Sequence, residues 1–128
     1  MLDGERLSWL DAELTAAPAV PTVIAMHHPP IITGSSAWDA ICLSGRDRLM
    51  LGEVVSSHSQ VRRIVAGHVH RTIAGEVAGR PVLTVPSTFV QAKPSFGSGR
   101  LEFAVEPAGF AVHAFVNGDL ISQVQPVG

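Results

Sequence analysis

The chain has 128 residues, a mass of 13.5 kDa, a formal charge of −2 and a single lysine, Lys93, among its nine basic residues. One domain is the expectation, able to bury roughly two-thirds of the surface its unfolded chain exposes, and no basic footprint points to nucleic acid or an anionic membrane. Although 46% of the residues are hydrophobic, the longest weakly charged stretch is broken by Pro18, Pro21, Pro29 and Pro30 and cannot form a spanning helix. The start, Met1 to Arg6, has no basic segment followed by an apolar run, so the cytoplasm is the expected compartment. Cys42 is the only cysteine, which excludes an internal disulfide and a cysteine zinc site; flanked by Ile41 and Leu43, it reads as a buried thiol.

Leu7, Leu10 and Leu14 recur at helical spacing and predict an amphipathic helix from Arg6 to about Ala17, stopped by Pro18. Thr22 to His27 reads as a short buried strand, ended by His28-Pro29-Pro30 because proline cannot continue a ladder. Ile31 to Leu43 reads as a long loop, partly packed through Trp38. Ser44-Gly-Arg-Asp47 has the form of a helix start, so a second helix should run to about Ser57. Arg62 to Ala66 is a second buried strand, followed by Gly67-His68-Val69-His70.

Strands joined by turns follow. Arg71 to Val77 turns at Ala78-Gly79 into Pro81 to Val85; a polar stretch from Pro86 to Gly99 leads to a terminal meander of Leu101 to Val105, Phe110 to Val116 and, after the hairpin signal Asn117-Gly118, Leu120 to Val124. The order is mixed α/β: residues 1–100 form a core and residues 101–128 a terminal β-meander.

Four of the six histidines, His27, His28, His68 and His70, fall at the ends of two predicted buried strands, where loops of α/β sheets converge on sites. In extended backbone His68 and His70 would face one side with Val69 turned to the core, while adjacent His27 and His28 would point oppositely, so only one of them would be a ligand. Imidazoles in such an array suit zinc, manganese, iron or nickel. His58 reads as a solvated helix end, His113 as a surface or packing residue, and Asn117 as a turn residue.

Met26-His27-His28-Pro29-Pro30 closing one apolar strand, and Gly67-His68-Val69-His70 closing another some forty residues on, together resemble the calcineurin-like metallophosphoesterase superfamily. Pro86-Ser-Thr-Phe-Val-Gln91 resembles the corresponding loop of bacterial class III cyclic-nucleotide phosphodiesterases and their glycerophosphodiesterase relatives. The resemblance spans about residues 5–95 and implies the C-terminal half of a four-layer α-β-β-α sandwich. It implies two divalent or trivalent ions (manganese, iron or zinc) in the intact enzyme, His27 and His68 ligating one and His70 the other. His28 matches no ligand and is expected beside the site as the catalytic or substrate-facing group. The implied activity is hydrolysis of a small phosphodiester such as a cyclic nucleotide. A phosphomonoesterase or an inactive, self-associating fragment is the alternative, and neither a nucleic-acid polymer nor a membrane is an expected partner.

The superfamily opens with Asp-x-His, Gly-Asp and Gly-Asn-His motifs, none of which precedes the histidine strands here: none of the five aspartates is followed two residues on by histidine, and the only asparagine is Asn117. Without a bridging carboxylate two ions would repel by several kcal/mol even at an effective dielectric of about 20. The expectation for the chain alone is at most weak metal binding, with a single site on His27, His68 and His70 the form a lone ion would take, little or no hydrolysis, and a tendency to self-associate through exposed strand edges.

Overall fold

The computed structural model describes residues 2–97 and 99–127. Helix α1 (Gly4–Ala16) starts where the Asp3 carboxylate accepts from the Arg6 N–H at 3.0 Å, and ends two residues before Pro18. Strand β1 (Thr22–Met26) follows, then a four-residue helix α2 (Ser36–Asp39) inside the expected loop, then α3 (Gly45–Ser56). The α3 start is capped by Ser44 Oγ, which accepts from the Asp47 N–H at 3.1 Å. Strands β2 (Val61–Ala66), β3 (Ala74–Val77) and β4 (Arg80–Thr84) complete a four-stranded sheet of order β1-β2-β4-β3. Parallel pairing of β1, β2 and β4, with β3 antiparallel to β4, makes it mixed.

Leucines of α1 and α3 bury against one face of this sheet, in a cluster of Leu7, Leu14, Leu51, Val55, Val61, Ile64 and Val82. Gly75 lets β3 pass close to Ile31, whose Cδ1 lies 3.0 Å from where a Cβ would sit. Strands β7 (Gly109–Val116) and β8 (Asp119–Pro126) form a separate hairpin, which the Arg63 guanidinium tethers through Ser122 Oγ and the Leu120 carbonyl. The turn has φ 52° at Asn117 and 91° at Gly118, the left-handed pair that this dipeptide accommodates.

Several expectations are corrected. The segment from Arg71 yields a strand only from Ala74, because residues 71 and 73 are fastened to the Thr84 side chain. The three-stranded meander does not form: only Phe103–Ala104 (β6) of Leu101 to Val105 is extended, and it pairs with Gln91–Ala92 (β5), inside the stretch expected to be polar loop. Ser98 of that stretch, like Met1 and Gly128, lies outside the described residues. No described helix is long and apolar enough to cross a membrane. Phe89, Phe96, Val105 and Phe110 are exposed.

Candidate metal centre

Sheet register positions the site. Met26 is level with Ala66, and Ala66 with Thr84, so three parallel strands end on one line. The residues that follow, His27-His28 and Gly67-His68, are therefore side by side, and the Gly67 N–H donates to the His27 carbonyl at 3.1 Å. Beyond the strand ends the chain is no longer extended. β1 stops at Met26, and Pro29 and Pro30, both fully buried, turn the backbone so that His27 and His28 converge instead of pointing apart. Their ring centroids lie 4.9 Å from each other, and 5.0 and 4.3 Å from that of His68.

The second motif also departs from extended geometry. His68 and His70 have φ of 67° and 49°, and the Val69 N–H donates to the Gly67 carbonyl at 2.7 Å, closing a tight turn about His68. Positive φ in a residue other than glycine costs of order 1–3 kcal/mol and persists only where surroundings enforce it. Here the enforcement is Val69, buried between these two histidines against Trp38 and Ala92.

His68 Nδ1 lies 3.1 Å from His27 Nε2. Two imidazole lone pairs repel at that distance unless a proton or a cation lies between them, and about 3.0–3.4 Å is also the ligand edge around an ion with metal–nitrogen bonds of about 2.1 Å. The donor set therefore fits an ion. Ring nitrogens of His27, His28 and His68 all lie within 4.8 Å of one another. His68 Nε2 is buried without a partner in hydrogen-bond geometry; the Ile41 carbonyl nearby only partly offsets the burial that, with His28 and His27, holds this ring below the usual histidine pKa. Burial, then the neighbouring His27, lowers His28 as well. Both rings thus favour the neutral form that binds metals.

His70 stands apart from this group. Its Nδ1 donates to the Val90 carbonyl at 2.9 Å, since a carbonyl can only accept, which leaves the Nε2 lone pair free. The ring is braced by Phe103 and Trp38, at centroid distances of 5.8 and 6.3 Å, and Trp38 also meets His68 edge-on at 6.1 Å. Sequence reading placed Trp38 in a packed loop without tying it to the site, and it missed Val90, whose contribution is a backbone carbonyl that no residue type announces. Nearby, Arg71 grips the Glu106 carboxylate with two bonds of 2.9 and 3.0 Å, which holds Glu106 below the usual carboxylate range.

Three other residues do not join this group of rings, although Cys42 packs against the Trp38, Val69 and Ala92 cluster behind it. His58 is buried, not solvated, with Nε2 2.7 Å from the Asp11 carboxylate of α1. His113 is half-buried beside Ser122 of the paired strand. Cys42 is half-buried, and burial followed by the nearby Asp39 pushes its thiol up to about 11.

No family profile matches the chain. It is 34% identical over 112 residues to a probable cyclic nucleotide phosphodiesterase of Synechococcus sp., covering 84% of this chain and 42% of the relative. It is 33% identical over 124 residues to the 3′,5′-cyclic adenosine monophosphate phosphodiesterase of Vibrio vulnificus, covering 97% and 44%. Among solved structures it is similar to a dimetal phosphatase from Danio rerio, with a TM-score of 0.55 and 27% identity over 66% of this chain and 27% of that one. The chain thus spans less than half the length of these relatives. With the two histidine motifs at one end of the parallel strands, these likenesses put it among the calcineurin-like metallophosphoesterases, as a C-terminal portion.

Proposed function

We propose that the chain is the C-terminal metal-ligand portion of a metal-dependent phosphodiesterase acting on a cyclic nucleotide or a similar small phosphodiester. The carrying observation is the convergence of His27, His28 and His68 where β1 and β2 end in register. In the proposal His27 and His68 hold one ion and the free Nε2 of His70 faces a second. Such ions, of manganese, iron or zinc, would supply Lewis acidity for activating a water nucleophile and for neutralising charge on the phosphoryl group. The neutral ring of His28 donates a hydrogen bond to a phosphoryl oxygen. The Val90 carbonyl fixes the His70 tautomer and Trp38 its ring plane, the support that metal-binding imidazoles need.

Residues 1–100 supply the core and ligand loops in this reading, and 101–128 the terminal strands. The proposed compartment is the cytoplasm, where a lone cysteine stays a thiol. The dimetal phosphatase likeness favours one second reading, a phosphomonoesterase.

The test is hydrolysis of bis(p-nitrophenyl) phosphate, p-nitrophenyl phosphate and cyclic adenosine monophosphate with added manganese. It is run on this chain, on a chain extended to the relatives' length, and on the extended chain carrying His28→Ala or His70→Ala. Turnover of the diesters by the extended chain, lost in both variants, is expected. Monoester turnover alone supports the second reading, and no turnover of any substrate refutes both.

A further inference from the structure

We propose that the 128-residue chain by itself holds one divalent transition-metal ion through His27, His28 and His68, with His28 as the third ligand. His28 has no ligand role in the two-ion arrangement above, yet it is the residue whose ring nitrogen lies with those of His27 and His68 inside 4.8 Å, whereas His70 does not join them. The Nε2–Nδ1 pair of His27 and His68 is already at ligand spacing. The His28 ring packs 4.3 Å from His68, centroid to centroid, and its nitrogen lies within 4.8 Å of the other two, so in the proposal a turn of this half-buried side chain would supply the third ligand.

Backbone features hold these rings without any ion. Buried Pro29 and Pro30 anchor the bend that carries His27 and His28. The Gly67 N–H ties the His27 carbonyl to the second loop, and the tight turn about His68 is locked by buried Val69. A ligand set positioned by packed elements in this way is preorganised. His70 keeps its Nε2 lone pair, but its ring is held by Val90, Phe103 and Trp38 and it lies outside the group of nitrogens formed by His27, His28 and His68. Among the described residues no carboxylate accompanies the three rings, so the donors are all imidazole nitrogen. Such a set selects zinc, cobalt, nickel or copper over magnesium or calcium, and three histidines leave a fourth position for water.

The inference does not rest on the hydrolytic reading, and its test reads binding instead of turnover. Cobalt(II) is titrated into the chain and followed by visible absorption, with zinc(II) titrated calorimetrically, for the unsubstituted chain and for His28→Ala, His28→Gln, His68→Ala, His70→Ala and His113→Ala. Far-UV circular dichroism confirms folding of each. One ion per chain is expected, with the intense visible bands of a four- or five-coordinate cobalt. Loss of a direct ligand costs at least what loss of a supporting partner does, about tenfold in affinity. The two His28 variants and His68→Ala should each show that loss, His113→Ala none, and His70→Ala less than His28→Ala. A zinc-induced shift of the His28 ring ¹⁵N resonance in the unsubstituted chain reads the same ligand without any substitution. Two ions per chain, no saturable binding, an unmoved His28 resonance, or a larger loss with His70→Ala than with His28→Ala overturns the proposal.

Discussion

Thr84→Val should destabilise the protein although it keeps the shape of the side chain. Thr84 is fully buried at the end of β4, and its Oγ1 accepts from the Ile73 N–H at 2.8 Å while donating to the Arg71 carbonyl at 2.5 Å. Valine removes both bonds and leaves two backbone groups without partners. A lost bond costs about 1 kcal/mol and a buried unsatisfied group about 1–3 kcal/mol. Arg71 and Ile73 are only half-buried, so water relieves part of this, and the extra methyl of valine recovers a fraction. The net is about 2 kcal/mol, a large share of the roughly 5–15 kcal/mol that holds a domain together. At about 3–5 °C per kcal/mol for this size, the midpoint of thermal unfolding falls by roughly 6–10 °C. Thr84→Ser, which keeps the hydroxyl and loses a methyl, should cost about 1 kcal/mol. Urea and thermal unfolding followed by circular dichroism measure both. Volume alone ranks serine as the worse substitution, so finding Thr84→Val at least as stable as Thr84→Ser would refute the hydrogen-bond account.

Two further outcomes follow from local geometry. Ala78 has φ 49° in the turn between β3 and β4, a conformation costing an L residue about 1–2 kcal/mol, so Ala78→Gly should stabilise by up to about 1 kcal/mol in urea unfolding despite glycine's greater freedom when unfolded. The Cys42 thiol, raised to about 11 by burial, stays protonated at neutral pH. Iodoacetamide should label the folded protein slowly until pH nears that value, and the urea-unfolded chain from about pH 8.5. Between those values the unfolded state holds fewer protons at this site, so the contribution of Cys42 to stability falls as pH rises, and rapid labelling of folded protein at pH 8.5 would contradict the raised value.

Sequence alone determined the elements whose signals are local. The leucine spacing of α1 ending at Pro18, the Ser44 cap of α3, the apolar runs of β1 and β2, and the turns at Ala78-Gly79 and Asn117-Gly118 are set by periodicity, capping and φ preference within a few residues. It also marked His27, His28, His68 and His70, because histidines closing two apolar strands are unusual in themselves. Tertiary structure decided what depends on partners far along the chain. The pairing of β5 with β6 arises from register across a loop, and the burial of His58 from Asp11, 47 residues away. Most consequential is the side on which each histidine falls. Alternation in an ideal strand sends His27 and His28 apart and puts His68 beside His70, but the strands end one residue before each motif. Buried prolines and two positive-φ histidines then set the directions, and those bends exist only because Val69, Trp38, Pro29 and Pro30 are packed by residues distant in sequence.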